Sequence, residues 1–153
     1  MKIARWIIAV ATIASVLPAP ASAATSLRLI YRISGVLDNT GVATSVHCTN
    51  ASTHSEDLEV IVRDRDGTLL STSDLALPPG ATRTMSTKNT IAFFDDVFLL
   101  GTGITSIRQG SIEILSTTRA LHCTAMMLDA TASTPIGISL HMVRFLPMAG
   151  GSE

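Results

Sequence analysis

The chain has 153 residues with 11 basic and 12 acidic side chains, and basic residues come singly rather than in runs. That excludes the clustered positive charge on which nucleic-acid binding rests. Only two cysteines occur, Cys48 and Cys123, so a multi-disulfide scaffold is excluded as well.

The N-terminus reads as a secretory signal. Lys2 and Arg5 precede an uncharged run from Trp6 to Leu17, and Ala21-Ser22-Ala23 supplies small residues for a signal peptidase. The run is about a dozen residues, short of the roughly twenty a membrane span needs. Cleavage is expected after Ala23. This leaves residues 24–153 as one domain, secreted or periplasmic, with no stable membrane insertion. Losing Lys2 and Arg5 leaves nine basic residues against twelve acidic ones.

From Arg28 onward the pattern is period two, the signature of half-buried strands. Leu29, Tyr31 and Ile33 alternate with Arg28, Ile30 and Arg32. Val46 and Cys48 alternate with Ser45, His47 and Thr49. Leu58, Val60 and Val62 alternate with Glu59, Ile61 and Arg63. Further on, Ile112 and Ile114, then Leu121, Cys123 and Ala125, then Ile138, Leu140 and Met142 repeat the theme. Turns are expected at Asp38-Asn39-Thr40-Gly41, Asp64-Arg65-Asp66-Gly67 and Pro78-Pro79-Gly80. The expected fold is all-β, a single antiparallel β-sandwich of about seven to eight strands. The segment from Ile91 to Gly103 departs from the pattern and holds three of the four phenylalanines; it reads as a short helix or a long ordered loop. The tail 149–153 is expected to be disordered.

In an oxidising compartment the pair Cys48 and Cys123 reads as one disulfide, which would stabilise by roughly 4–5 kcal/mol. The repeated His-Cys-Thr at 47–49 and 122–124 invites a zinc site. In strands, however, adjacent side chains point to opposite faces, so inward cysteines leave His47 and His122 outward. No metal or other cofactor is expected; His47 and His122 remain weak metal candidates as cross-strand neighbours on the outer face. Asp64-x-Asp66-Gly67 has part of a calcium loop and lacks the rest of it. Asn50-Ala51-Ser52 fits a glycosylation pattern.

The candidate ligand-binding residues are Phe93, Phe94, Asp95 and Asp96, because aromatic rings beside carboxylates can form a sugar- or cation-binding surface. No G-x-S-x-G, H-E-x-x-H or S-x-x-K is present, and no catalytic residue is assigned. The expected function is an exported, non-catalytic binding or structural module with a glycan or protein partner. Two alternatives stand beside it. One is a self-associating sandwich joined through outward Ile30, Ile61 and Leu115. The other is a hydrolase without a recognisable motif, which would gather a His with a Ser or carboxylate in a pocket.

The segments HCTNAS (47–52), RDRDGTLL (63–70), GSIEILST (110–117), ALHCTAMMLDA (120–130) and PIGISLHMVRFLP (135–147) together resemble a group of small bacterial exported β-sandwich proteins of unassigned function. The resemblance implies the Cys48–Cys123 bridge and the sandwich, and no activity. In outline the strand order is also similar to the small β-sandwich of sensory-rhodopsin transducer proteins, for which sugar or nucleic-acid binding has been suggested. It shares no site residues with them.

Overall fold

The computed structural model describes residues 26–104 and 106–145. The signal segment 1–23, its cleavage point and the tail 149–153 lie outside the described residues.

Ten strands follow one another: β1 (Arg28–Asn39), β2 (Val42–Asn50), β3 (Glu56–Asp64), β4 (Leu69–Leu77), β5 (Thr82–Ser86), β6 (Val97–Phe98), β7 (Ile107–Ser116), β8 (Leu121–Asp129), β9 (Ile138–Ser139) and β10 (Met142–Arg144). No helix occurs among the described residues. The all-β expectation therefore holds, but the architecture differs in detail. The strands form one hydrogen-bonded sheet that curls into a half-barrel, and one of its pairs, β5 with β6, is parallel.

The curl turns on one corner. Thr40 and Gly41 both have positive φ, 44° and 88°, as a two-residue hairpin turn of the mirror-image type requires. The hairpin they join holds for only two pairs, Asp38 with Ala43 and Asn39 with Val42. Beyond it β1 pairs with β7 and β10, while β2 pairs with β5 and β8. The sheet thus has two arms that meet at one corner. Three register shifts along β1 bend that strand further.

One shift corrects an expectation. Leu29 pairs with Leu115 and Tyr31 with Ile114, so Ile30 is an extra residue and strict alternation fails there. Ile30 and Tyr31 are both buried, and Ile30 is not on the outer face. Ile61 and Leu115 are half-buried. Gly110 sits where β7 passes between β3 and β1. A Cβ there would lie 2.6 Å from the Arg63 carbonyl oxygen, so only glycine fits without movement.

The inward side chains form one core. Ile33, Val60, Val62, Ile112 and Ile114 come from one arm, and Val46, Met85 and Leu121 from the other. Cys48 and Cys123 face each other across β2 and β8 and are joined by a disulfide. The expected turns all form: Gly67 N–H donates to Asp64 O, and Ala81 N–H donates to Pro78 O. The last expected strand is split at Leu140 into β9 and β10, which pair with different arms.

Candidate functional site

After β5 the chain leaves the sheet at Thr87, crosses one end, and returns as β6. The segment is neither helical nor loosely tethered. Thr87 Oγ1 donates to Leu37 O at 2.8 Å, and Lys88 Nζ lies 3.0 Å from Asp38 Oδ1 of a nearly buried carboxylate. Ile91 N–H donates to Ala130 O, and Leu99 N–H donates to Ser86 O. Thr90 donates from both its N–H and its hydroxyl to Asp96 Oδ2, at 3.1 and 2.7 Å. Residues 87–98 thus form a strap fastened along its length.

The four expected ligand-binding residues lie on this strap but face two ways. Phe93 turns onto the sheet, its ring 4.5 Å from that of His47 in an edge-to-face arrangement. Asp96 also turns in, and its Oδ1 is buried without a hydrogen-bond partner. Phe94 and Asp95 point out. Phe94 is 96% exposed, and Asp95 adopts φ 52°, which re-aims the chain directly after Phe94. The Asp95 carboxylate reaches only to 4.0 Å from Arg83.

Beneath the strap the outer face of β2 and β5 carries a row of polar pairs. Ser45 and Ser86 hydroxyls are 2.6 Å apart, Thr49 and Thr82 hydroxyls 2.8 Å, and His47 Nδ1 and Thr84 Oγ1 2.9 Å. His47 Nε2 is buried and unpaired. Burial holds the His47 imidazole below its ordinary value of 6.5, with the Asp96 charge pulling the other way.

The two histidines are not cross-strand partners. Because β2 and β8 are antiparallel with Cys48 opposite Cys123, His47 faces Thr124 and His122 faces Thr49. The expected direct pair is a diagonal one, with His47 covered by Phe93 and His122 exposed. Among the described residues no group of three or more His, Cys, Asp or Glu side chains is placed to hold a metal ion. Asp66 Oδ1 caps its own turn by accepting from Thr68 N–H, as an ordinary hairpin turn would. Asn50 is fully buried and donates to His54 O and Leu77 O, so it is a structural residue rather than a glycan acceptor in the folded chain.

Sequence reasoning missed several exposed apolar side chains and an apolar cavity. Ile136 is 92% exposed, and Ile138 and Ile91 are each 65% exposed. Ile136 and Ile138 line an open cavity of about 300 Å³ with Leu37, Val42, Met127 and Leu128. The backbone of Ile91 is tied to the end of β8 by its N–H bond to Ala130 O, and Ala130 N–H bonds Gly41 O. The cavity is assembled from three separate stretches, so no local signal marks it. A fully buried carboxylate, Glu56, was missed too; it accepts from Ser116 Oγ at 2.8 Å and from Thr118 Oγ1.

The fold and site define a disulfide-linked all-β domain with an exposed aromatic on its strap and an open apolar cavity. No protein-family model matches the chain, and no curated protein matches it as a relative. Among solved structures, the crystal structure of Thermotoga maritima 1070 is similar over 74% of this chain and 92% of its own, with a TM-score of 0.50 at 12% identity. That likeness shows the fold alone. The structure of PfGH50B overlaps 72% of this chain and 17% of its own length at 17% identity, with a TM-score of 0.36, too slight to argue from.

Proposed function

We propose that this chain is an exported β-domain that binds a protein partner through the strap and the exposed isoleucines Ile91, Ile136 and Ile138. Export rests on the signal-like residues 1–23 and on the disulfide, which suits an oxidising compartment. No helix among the described residues is long and apolar enough to cross a membrane.

The observation that carries the reading is Phe94. A nearly fully exposed aromatic ring gains nothing in the isolated fold, yet the neighbouring residues Phe93 and Asp96 fix the strap that presents it. Exposed aromatic and branched apolar side chains gathered at one place mark interfaces, where buried aromatics dominate the binding energy. Exposed Ile91 on the same strap suits an apolar protein surface better than a sugar.

The test compares wild-type protein with Phe94→Ser, both recovered from the exported fraction of the producing cell and sized by light scattering after gel filtration. Wild type should elute in a complex with a second protein, and Phe94→Ser as a free monomer with an unchanged melting temperature. A monomeric wild type would overturn the reading. A wild type of twice its own mass would replace the foreign partner with a second copy, and retention on a glycan column would replace it with a sugar.

A further inference from the structure

His47 and Asp96 present the most conspicuous unmet polar atoms in the described structure. Both His47 Nε2 and Asp96 Oδ1 are buried without a hydrogen-bond partner; His47 lies beneath the strap that carries Phe94, and Asp96 belongs to that strap. His47 Nδ1 is already engaged by Thr84 Oγ1, and the ring is walled by Phe93 at 4.5 Å. Whichever nitrogen takes an added proton, the resulting imidazolium carries an Nε2–H with no hydrogen-bond partner in the closed structure.

We propose that the strap is acid-sensitive: it closes over neutral His47 and lifts when His47 is protonated, so the pH of the surroundings controls how Phe94 is held. The proposal deepens the partner-binding reading and rests on it for its biological purpose.

The chemistry is that of an unanswered buried donor. A neutral imidazole leaves one unmet nitrogen under Phe93. An imidazolium leaves an unmet charged N–H there, which is much costlier to keep from water. The charged and titratable groups around His47 do not remove this cost. On the strap, Asp96 attracts the proton but makes no hydrogen bond to Nε2. Asp95 points outward, toward Arg83 of β5. On either side of β2, the directly opposed residues are Thr84 and Thr124, both uncharged, and His122 of β8 sits diagonally away. Lifting Phe93 opens Nε2–H and Asp96 Oδ1 to water together. Because the closed form binds the proton less well than the lifted form, protonation shifts the population toward lifting. The balance that keeps the closed imidazole below its ordinary value of 6.5 agrees with this direction.

The test is amide hydrogen exchange over residues 90–98 of the purified mature protein, at about pH 7.5 and about pH 5, corrected for intrinsic rates. Protection of these amides should fall by roughly fivefold or more at the lower pH, while core amides of β3 and β7 stay protected. In His47→Gln, which keeps a polar side chain and cannot titrate, the fall should vanish. Should that variant fold poorly, the wild-type ring contact of His47 with Phe93 followed by proton NMR gives the same answer: it should be present at about pH 7.5 and lost at about pH 5. Equal protection at both pH values, or a fall that persists in His47→Gln, would overturn the switch. This experiment uses no partner. A strap that lifts in acid without any complex forming would sink only the partner reading, and a complex indifferent to pH would sink only the switch.

Discussion

Cys48 and Cys123 occupy directly opposed positions on β2 and β8, with Cα atoms 4.1 Å apart across 75 residues of chain. The bridge therefore clamps the strand that carries His47 to its neighbour, and links segments the chain itself joins only by way of both arms. Replacing both cysteines by alanine should cost roughly 4–5 kcal/mol by loop entropy, less whatever structure the unfolded chain retains. Urea unfolding with and without reductant checks it: wild type in reductant should match the double variant.

Burial separates two kinds of large apolar residue. Ile114 is fully buried between β3 and β1, and Ile114→Ala should cost about 2–5 kcal/mol. Phe94→Ser should change stability by no more than about 0.5 kcal/mol. Thermal melts of the two variants side by side test both assignments.

Glu56 is a carboxylate held with no exposed surface by the hydroxyls of Ser116 and Thr118. Glu56→Leu would leave both hydroxyls without their acceptor, and should lower stability by about 1–3 kcal/mol. Chemical denaturation measures it. Restoring part of the loss with Glu56→Gln would show that the hydrogen bonds, not the charge, matter.

On the outer face Glu113 of β7 lies between Arg32 of β1 and Arg63 of β3. Burial pushes its carboxyl up, but the hydrogen bonds and charges of the two arginines outweigh it and hold it below its ordinary 4.5. The unfolded chain then binds the proton first as pH falls. The stabilisation is complete above about 4.5 and is lost as pH drops through the lower folded value. Glu113→Gln should flatten that part of the acid limb in melts taken across about pH 2 to 6.

Much of the fold was legible because period-two alternation and turn residues are local. Val46, Cys48, Val60 and Leu121 all face inward as their spacing implies. Ile30 was misread because a register shift in β1 is set by pairing with β7, which no local pattern records. The closure into one curled sheet depends on the two-pair hairpin at Asp38–Val42, again a matter of which strands compete for β1 and β2. At the site, the cluster Phe93 to Asp96 stood out by composition. Its division into Phe93 and Asp96 inward, Phe94 and Asp95 outward, follows from the contacts with His47 and Thr90 that only folding supplies. The exposure of Ile91, Ile136 and Ile138 leaves no local signal, because an apolar side chain reads the same in a sequence whether or not the fold covers it.

The most direct measurement is a photocrosslinking scan in the producing cell, with a photoreactive phenylalanine placed in turn at positions 91, 94, 136 and 138, and at 65 and 74 as controls. The account predicts one discrete protein adduct from the strap and isoleucine positions, strongest at 94, and none from the controls. Adducts that arise only at 65 or 74, or none at any position, would contradict it.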